Sequence, residues 1–207
     1  MSTEVVVVET GVANVASVRT GLRRAGAEPV PAASADSVRN ASHVVVPGVG
    51  AFAPAMDGLG QRGLGEAVVA RVREGRPTLG ICLGMQLFCS RSDESPYRQG
   101  LGLVDGKMTR FGDGVRVPHL GWNRVEPDAR SRYLEPGYAY FAHSYRLDAV
   151  PDGWSASLTD YGGSFVSALE RGGVLACQFH PELSAEWGTR LLASWLERSV
   201  DAGEKSC

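Results

Sequence analysis

The sequence predicts an α/β fold: a single domain with a central, mostly parallel sheet flanked by helices and a β-rich C-terminal half. Three observations lead there. Short β-branched runs alternate with segments of helical spacing as far as about Gly100. Beyond that point, strand-like runs follow one another, joined by Gly, Pro and Asp. The chain of 207 residues is 43% hydrophobic and 21% charged, an ordinary globular balance for one domain.

Glu4 to Glu9 opens as a buried strand. Asn14 to Ala25 follows with Val15, Val18 and Leu22 at helical spacing, and Gly26 is placed to end that helix. Glu28 to Val30 and His43 to Val46 read as strands, the latter running into Pro47-Gly48-Val49-Gly50. A Gly-rich stretch precedes a helix near Gly65 to Glu74, with Val68, Val69 and Val72 inward. Pro77 to Ile81 is a strand, and Leu83 to Phe88 starts the next helix. Strands are then expected at Gly102–Arg110, His119–Glu126, Tyr138–Leu147, Trp154–Leu158, Phe165–Glu170 and Val174–Phe179. The last helix, Ala185 to Arg198, gathers Trp187, Leu191, Leu192, Trp195 and Leu196 on one face. The domain is expected to span residues 1–200, with 201–207 a flexible tail.

Composition excludes several classes. The net charge is −2, and basic residues are scattered, so no nucleic-acid partner is expected. Of 21 basic residues only Lys107 and Lys205 are lysines, a skew that reads as genome composition. No apolar run is long enough to span a membrane, and the start lacks the shape of a secretory signal. Four cysteines (Cys82, Cys89, Cys177, Cys207) form no CxxC pair and suit a reducing, cytoplasmic setting. The four histidines (His43, His119, His143, His180) have no partner at ligand spacing, so no metal and no cofactor is expected. Gly48-Val49-Gly50 lacks the rest of a dinucleotide fingerprint.

Gly80-Ile81-Cys82-Leu83-Gly84 has the G-x-nucleophile-x-G form at a strand-to-helix junction. Such a turn lifts the nucleophile above the sheet, and the helix start favours a thiolate. The Leu83 amide points where an oxyanion would form. A free cysteine is more often an inert core residue, the fate expected for Cys89 and Cys177. The flanking glycines set Cys82 apart. Gln178-Phe179-His180-Pro181-Glu182 ends another strand. A thiol attacking an acyl carbon needs a proton acceptor that later donates, which suits His180. Glu182, two residues on, can fix its tautomer. A lone His-x-Glu would more often be a strand-end pair in solvent; together with the cysteine turn it reads as a triad.

At these residues the sequence resembles the class I, triad-type glutamine amidotransferases, whose fold is flavodoxin-like. The resemblance implies a thioester at Cys82, His180 as base and then acid, and Glu182 as its orienter. Pro47-Gly48-Val49-Gly50-Ala51-Phe52 resembles the family's oxyanion loop, so Val49 or Gly50 joins Leu83 as oxyanion donor. Gly48, Gln86, Glu94 and the backbone of His143-Ser144-Tyr145 fall where the family holds L-glutamine. Val117-Pro118-His119-Leu120-Gly121-Trp122-Asn123 and Tyr140-Phe141-Ala142-His143-Ser144-Tyr145 resemble one branch, the glutaminase subunits of imidazole glycerol phosphate synthase (HisH). That resemblance covers Val5 to about Leu196. It implies a heterodimer with a (β/α)₈ cyclase, met through His119, Trp122, Asn123 and Leu183, with ammonia passed on for histidine biosynthesis. Since the motifs leave no stretch for a synthase site, a separate chain is expected to cap the cysteine.

Two departures stand out. The family usually begins Asp-Tyr-Gly-x-Gly-Asn, where this chain has Glu9-Thr10-Gly11-Val12-Ala13-Asn14. It also commonly has Lys after His-Pro-Glu, where this chain has Leu183. They raise an alternative: a paralogue feeding another ammonia-dependent synthase, in sugar or secondary metabolism. Further alternatives are a cysteine hydrolase of the same fold, against which Gln86 and His-Ser-Tyr argue, and a silent binding subunit. The intact Cys82, His180 and Glu182 argue against the last.

Overall fold

The computed structural model describes residues 2–9 and 15–199. In chain order its first half runs β1 (Thr3–Val7), α1 (Ala16–Arg24), β2 (Ala27–Pro31), α2 (Ala35–Asn40), β3 (His43–Val46), α3 (Phe52–Gln61), α4 (Leu64–Arg73), β4 (Thr78–Ile81) and α5 (Leu83–Phe88). The second half runs β5 (Cys89–Ser92), β6 (Val104–Arg110), β7 (His119–Pro127), β8 (Gly137–His143), β9 (Tyr145–Leu147), β10 (Ser155–Asp160), β11 (Ser164–Arg171), β12 (Val174–Cys177) and α6 (Ala185–Arg198). The described strands form one sheet in the order β2-β1-β3-β4-β12-β11-β10-β7-β8, with β5, β6 and β9 attached beside β11. β2, β1, β3, β4 and β12 are mutually parallel; β11, β10, β7 and β8 run antiparallel to their neighbours.

The valine runs explain the layering. Side chains alternate along a strand, so Val6, Val44 and Val46 face one side of the sheet while Val5, Val7 and Val45 face the other. The first side packs on Val38 of α2, Phe52 and Leu59 of α3, and Val68 and Val72 of α4. The second packs on Val18 and Leu22 of α1 and on Leu191, Leu192 and Trp195 of α6. A strand buried on both faces needs no polar alternation, which is why these runs read as continuous apolar stretches.

Several expectations need correction. The stretch read as Gly-rich loop contains α3: Pro54 sits in its first turn, where no intrahelical N–H is required. Neither α2 nor β5 was expected; α2 is set by a Ser34–Ser37 capping box. Tyr138–Leu147 is two strands with a bend at Ser144. As the single-domain expectation requires, the β-rich half joins the same sheet, because β12 returns to pair with β4. The expected helix start at Asn14, the Thr10–Asn14 departure and the tail lie outside the described residues.

Candidate active site

The parallel strands converge at their carboxyl ends, where open α/β sheets bind ligands. β3 ends at Val46 and leads into Pro47-Gly48; β4 ends at Ile81, one residue before Cys82; β12, beside β4, ends at Cys177, three before His180.

Cys82 has φ 51° and ψ −105°, a left-handed conformation costly for a non-glycine residue. Its neighbours make the turn possible. A Cβ on Gly84 would lie 1.9 Å from the Val46 carbonyl oxygen, so only glycine lets α5 approach β3. Cys82 N–H donates to the Cys177 carbonyl at 2.7 Å, tying the turn to β12. Beneath the sulfur, Gln178 Nε2 lies 3.7 Å from Sγ, and Gln86 Nε2 donates to Gln178 Oε1 at 3.2 Å. Sequence alone assigns Gln178 no role. Its place two residues before His180, just past the end of β12, was the available signal.

His180 Nδ1 lies 2.9 Å from Glu182 Oε1, with both side chains buried. Burial works against a charged imidazole here. Hydrogen bonds and charge from Cys82 and Glu182 outweigh it and push His180 up to about 10. The turn carrying the pair is pinned from three sides. His180 N–H donates to the Tyr140 carbonyl at 2.9 Å, and Ser184 Oγ donates to the His180 carbonyl at 2.6 Å. Below, a Cβ on Gly21 of α1 would lie 2.6 Å from Glu182 Cβ.

A cavity of about 260 Å³ opens over Cys82 and His180. Val49, Gly50, Leu83, Gln86, Glu94, His143, Ser144 and Tyr145 line it, as do Pro118, Leu120 and Ala142, which the sequence did not single out. Glu94 is aimed there by the Phe52 N–H at the start of α3, which donates to its Oε2 at 3.1 Å. Gly48 is a correction: it is buried beneath the cavity, packed on Leu83, and does not line it. Its carbonyl accepts from the Leu83 N–H at 3.4 Å, so the amide expected to meet an oxyanion is engaged in this state.

The expected partner face divides. Trp122 is 54% exposed, and Leu183 is exposed beside the triad turn. Leu120 and Tyr138 add apolar surface on the same β7–β8 ribbon. His119 is a correction: it is buried against Phe141 and Tyr161 and cannot meet a partner. Asn123 is half-buried, its amide committed to the Asp160 carbonyl at 2.8 Å. Among the described residues, Cys82, Cys89 and Cys177 are unpaired, and burial pushes Cys89 up to about 12. No group of three or more potential metal ligands is found among them, and no helix is long and apolar enough to cross a membrane.

An elbow cysteine facing a carboxylate-held histidine, over a cavity with a second polar wall, defines a class. The profile of the class-I glutamine amidotransferases matches residues 6–198, and the chain belongs to that family. Solved structures agree in fold. A glutamine amidotransferase superposes with TM-score 0.76 at 22% identity, over 94% of this chain and 98% of that one. The glutaminase domain of a Trypanosoma brucei CTPS superposes at 0.68 and 16% identity, over 97% and 94%. Within the class the chain is a member of the HisH family. It is 44% identical to imidazole glycerol phosphate synthase subunit HisH of Symbiobacterium thermophilum, over 92% of each chain. Identity to the Bacillus subtilis HisH is 36%, over 94% of this chain and 96% of that one. Identity to the chloroplastic hisHF protein of Arabidopsis thaliana is 40%, over 97% of this chain and 35% of that protein.

Proposed function

We propose that this chain hydrolyses L-glutamine to glutamate and ammonia, as the glutaminase subunit of imidazole glycerol phosphate synthase in histidine biosynthesis. The observation that carries the reading is the cavity. It puts Cys82 and His180 on one wall and Gln86, Glu94 and residues 143–145 around them, in a chain 44% identical to a HisH subunit.

His180 takes the thiol proton as Cys82 attacks the side-chain carbonyl of glutamine, and the C–N bond breaks as ammonia leaves with that proton, forming a thioester. His180 then takes a proton from water, which attacks the thioester; the C–S bond breaks, glutamate is released, and the proton returns to Cys82. Glu182 keeps the imidazole in the tautomer that faces Cys82. Gln86 and Glu94 hold the amino-acid end of the substrate, Glu94 by charge to its amino group, and backbone amides of His143, Ser144 and Tyr145 hold its carboxylate. Val49 or Gly50 with Leu83 stabilise the oxyanion. The Leu83 amide cannot serve both the Gly48 carbonyl and an oxyanion, so turnover requires that contact to open. Low activity alone and strong stimulation by a cyclase follow.

A (β/α)₈ cyclase covers the rim formed by Leu120, Trp122 and Leu183 and receives the ammonia, forming a heterodimer in the cytoplasm. With Leu183 in place of lysine, that contact is apolar at this point. Residues 1–200 act as one domain. Identity to HisH relatives over nearly the whole chain disfavours a paralogue serving another synthase.

Glutamine-dependent ammonia release, measured alone and with a cyclase and its ligand, tests the reading. Cys82→Ala should abolish release, and the partner should stimulate the parent. Release that survives Cys82→Ala would refute the mechanism. Failure of this chain, with a histidine-pathway cyclase, to restore growth to a strain lacking the glutaminase subunit would refute the pathway.

A further inference from the structure

His119 lies outside the triad, in an aromatic slot. Its ring stacks on Tyr161 with centroids 3.9 Å apart and on Phe141 at 4.7 Å. Phenylalanine would fill such a slot without the cost of burying two ring nitrogens. Both nitrogens are used. Nδ1 lies 3.1 Å from His143 Nε2, and Nε2 lies 3.4 Å from Asn123 Nδ2. His143 Nδ1 in turn lies 2.8 Å from the Tyr145 carbonyl oxygen.

These partners fix every proton. A carbonyl only accepts, so His143 carries its proton on Nδ1 and its Nε2 accepts. His119 must therefore donate from Nδ1, which leaves its Nε2 as an acceptor. Asn123 meets it with an N–H, because its Oδ1 already accepts from the Arg124 N–H at 2.7 Å. Burial disfavours the charged form of both rings, holding His119 down to about 4 and His143 to about 3. A one-way chain of hydrogen bonds thus runs from Asn123 on β7 to the Tyr145 carbonyl.

Tyr145 is one of the residues lining the cavity. The β8–β9 bend at Ser144 is held at two points: by His143 on the Tyr145 carbonyl, and by the Phe111 N–H, which donates to the Ser144 carbonyl at 3.1 Å. N–H and C=O point oppositely across a trans peptide, so the Tyr145 N–H is turned away from Phe111.

We propose that His119 is a positioning residue for the glutamine pocket, its Nδ1–H locking His143 in the tautomer that clamps the Tyr145 carbonyl and sets the amides of the Ser144 bend toward the substrate's α-carboxylate. This rests on the glutaminase reading. His119 itself touches neither glutamine nor Cys82.

The test uses the whole chain with its cyclase partner. His119→Phe keeps the stacked ring and removes the donor; His119→Asn keeps an N–H close to the Nδ1 position. His119→Phe is expected to raise glutamine KM about tenfold while kcat stays within about threefold, and His119→Asn to recover most of that loss. Iodoacetamide, which has no α-carboxylate, should alkylate Cys82 at the parental rate in both. Nitrogen NMR of the parent should show His119 and His143 as neutral Nδ1–H tautomers, and His143 should become a tautomer mixture in His119→Phe. A parental KM in folded His119→Phe overturns the proposal. So does an Nε2–H tautomer of His143 in the parent, which needs no variant to fold. A parent without glutaminase activity would refute the glutaminase reading and, with it, the role of His119, while the tautomer spectrum would still judge the hydrogen-bond chain.

Discussion

Replacing Glu182 with glutamine keeps shape and removes charge at one atom of the site. In the parent, Glu182 Oε1 accepts from His180 Nδ1 at 2.9 Å, and both groups are buried. A hydrogen bond to a charged group contributes about 1.5–3 kcal/mol and a neutral one about 0.5–1.5 kcal/mol. The difference of about 1–1.5 kcal/mol sets a lower bound of roughly five- to tenfold on the loss of kcat. A glutamine amide can also turn its NH₂ to Nδ1 and present Nε2–H to Cys82, the wrong tautomer for a base. That limit is about 10⁴-fold, the size seen when a triad carboxylate becomes an amide elsewhere. Glutaminase kcat of Glu182→Gln, measured with the cyclase partner, is therefore expected to fall at least about fivefold, with KM within about threefold because Glu182 does not line the cavity.

The same substitution moves a titration. His180 stands at about 10 through Cys82 and Glu182, so in Glu182→Gln its imidazole NMR midpoint should fall toward 6.5. A raised histidine stabilises the fold fully below its unfolded value of 6.5 and loses that contribution as pH rises through about 10. The stability gap between parent and variant should therefore be widest below pH 6.5 and narrow toward pH 10. A folded variant with kcat within threefold of the parent, or an unmoved His180 titration, would refute this account of the triad.

Other expectations are simpler to check. Gly84→Ala places a methyl 1.9 Å from the Val46 carbonyl oxygen; it should cost several kcal/mol in urea unfolding and remove glutaminase activity. A glutamine-analogue electrophile should label Cys82 in the native protein and spare Cys89 and Cys177, whose thiols burial pushes up; peptide mapping before and after denaturation reads this out. Burial holds His43 at about 4, so its stabilising share is present above 6.5 and lost as pH falls through 4. That share amounts to about 2 kcal/mol of lost stability at pH 5, and His43→Gln should flatten the fall in Tm between pH 7 and 5.

Much of the fold was legible where one physical signal dominates. The doubly buried valine runs gave β1 and β3, and the apolar stripe from Leu191 to Leu196 gave α6. The signal failed where the local rules are permissive. Phe52–Gln61 is a helix despite Pro54, Gly58 and Gly60, because Phe52, Ala55 and Leu59 pack into the core. The bend at Ser144 arises from His143 and Phe111 holding two successive carbonyls, which no hydrophobic period records.

The sequence by itself determined the chemistry: a cysteine between glycines after a strand, and a histidine two residues before a glutamate after another. Those signals are local, since a strained turn and a carboxylate–imidazole pair are each built within a few residues. Tertiary structure decided what depends on contacts between distant segments. Pairing of β12 with β4 brings His180 to Cys82 across almost a hundred residues. Burial by Phe141 and Tyr161 moved His119 from an expected partner face to a support for the pocket. The Gly48 carbonyl, reaching from the β3 loop, accepts from the Leu83 N–H, a contact between segments that no local pattern records.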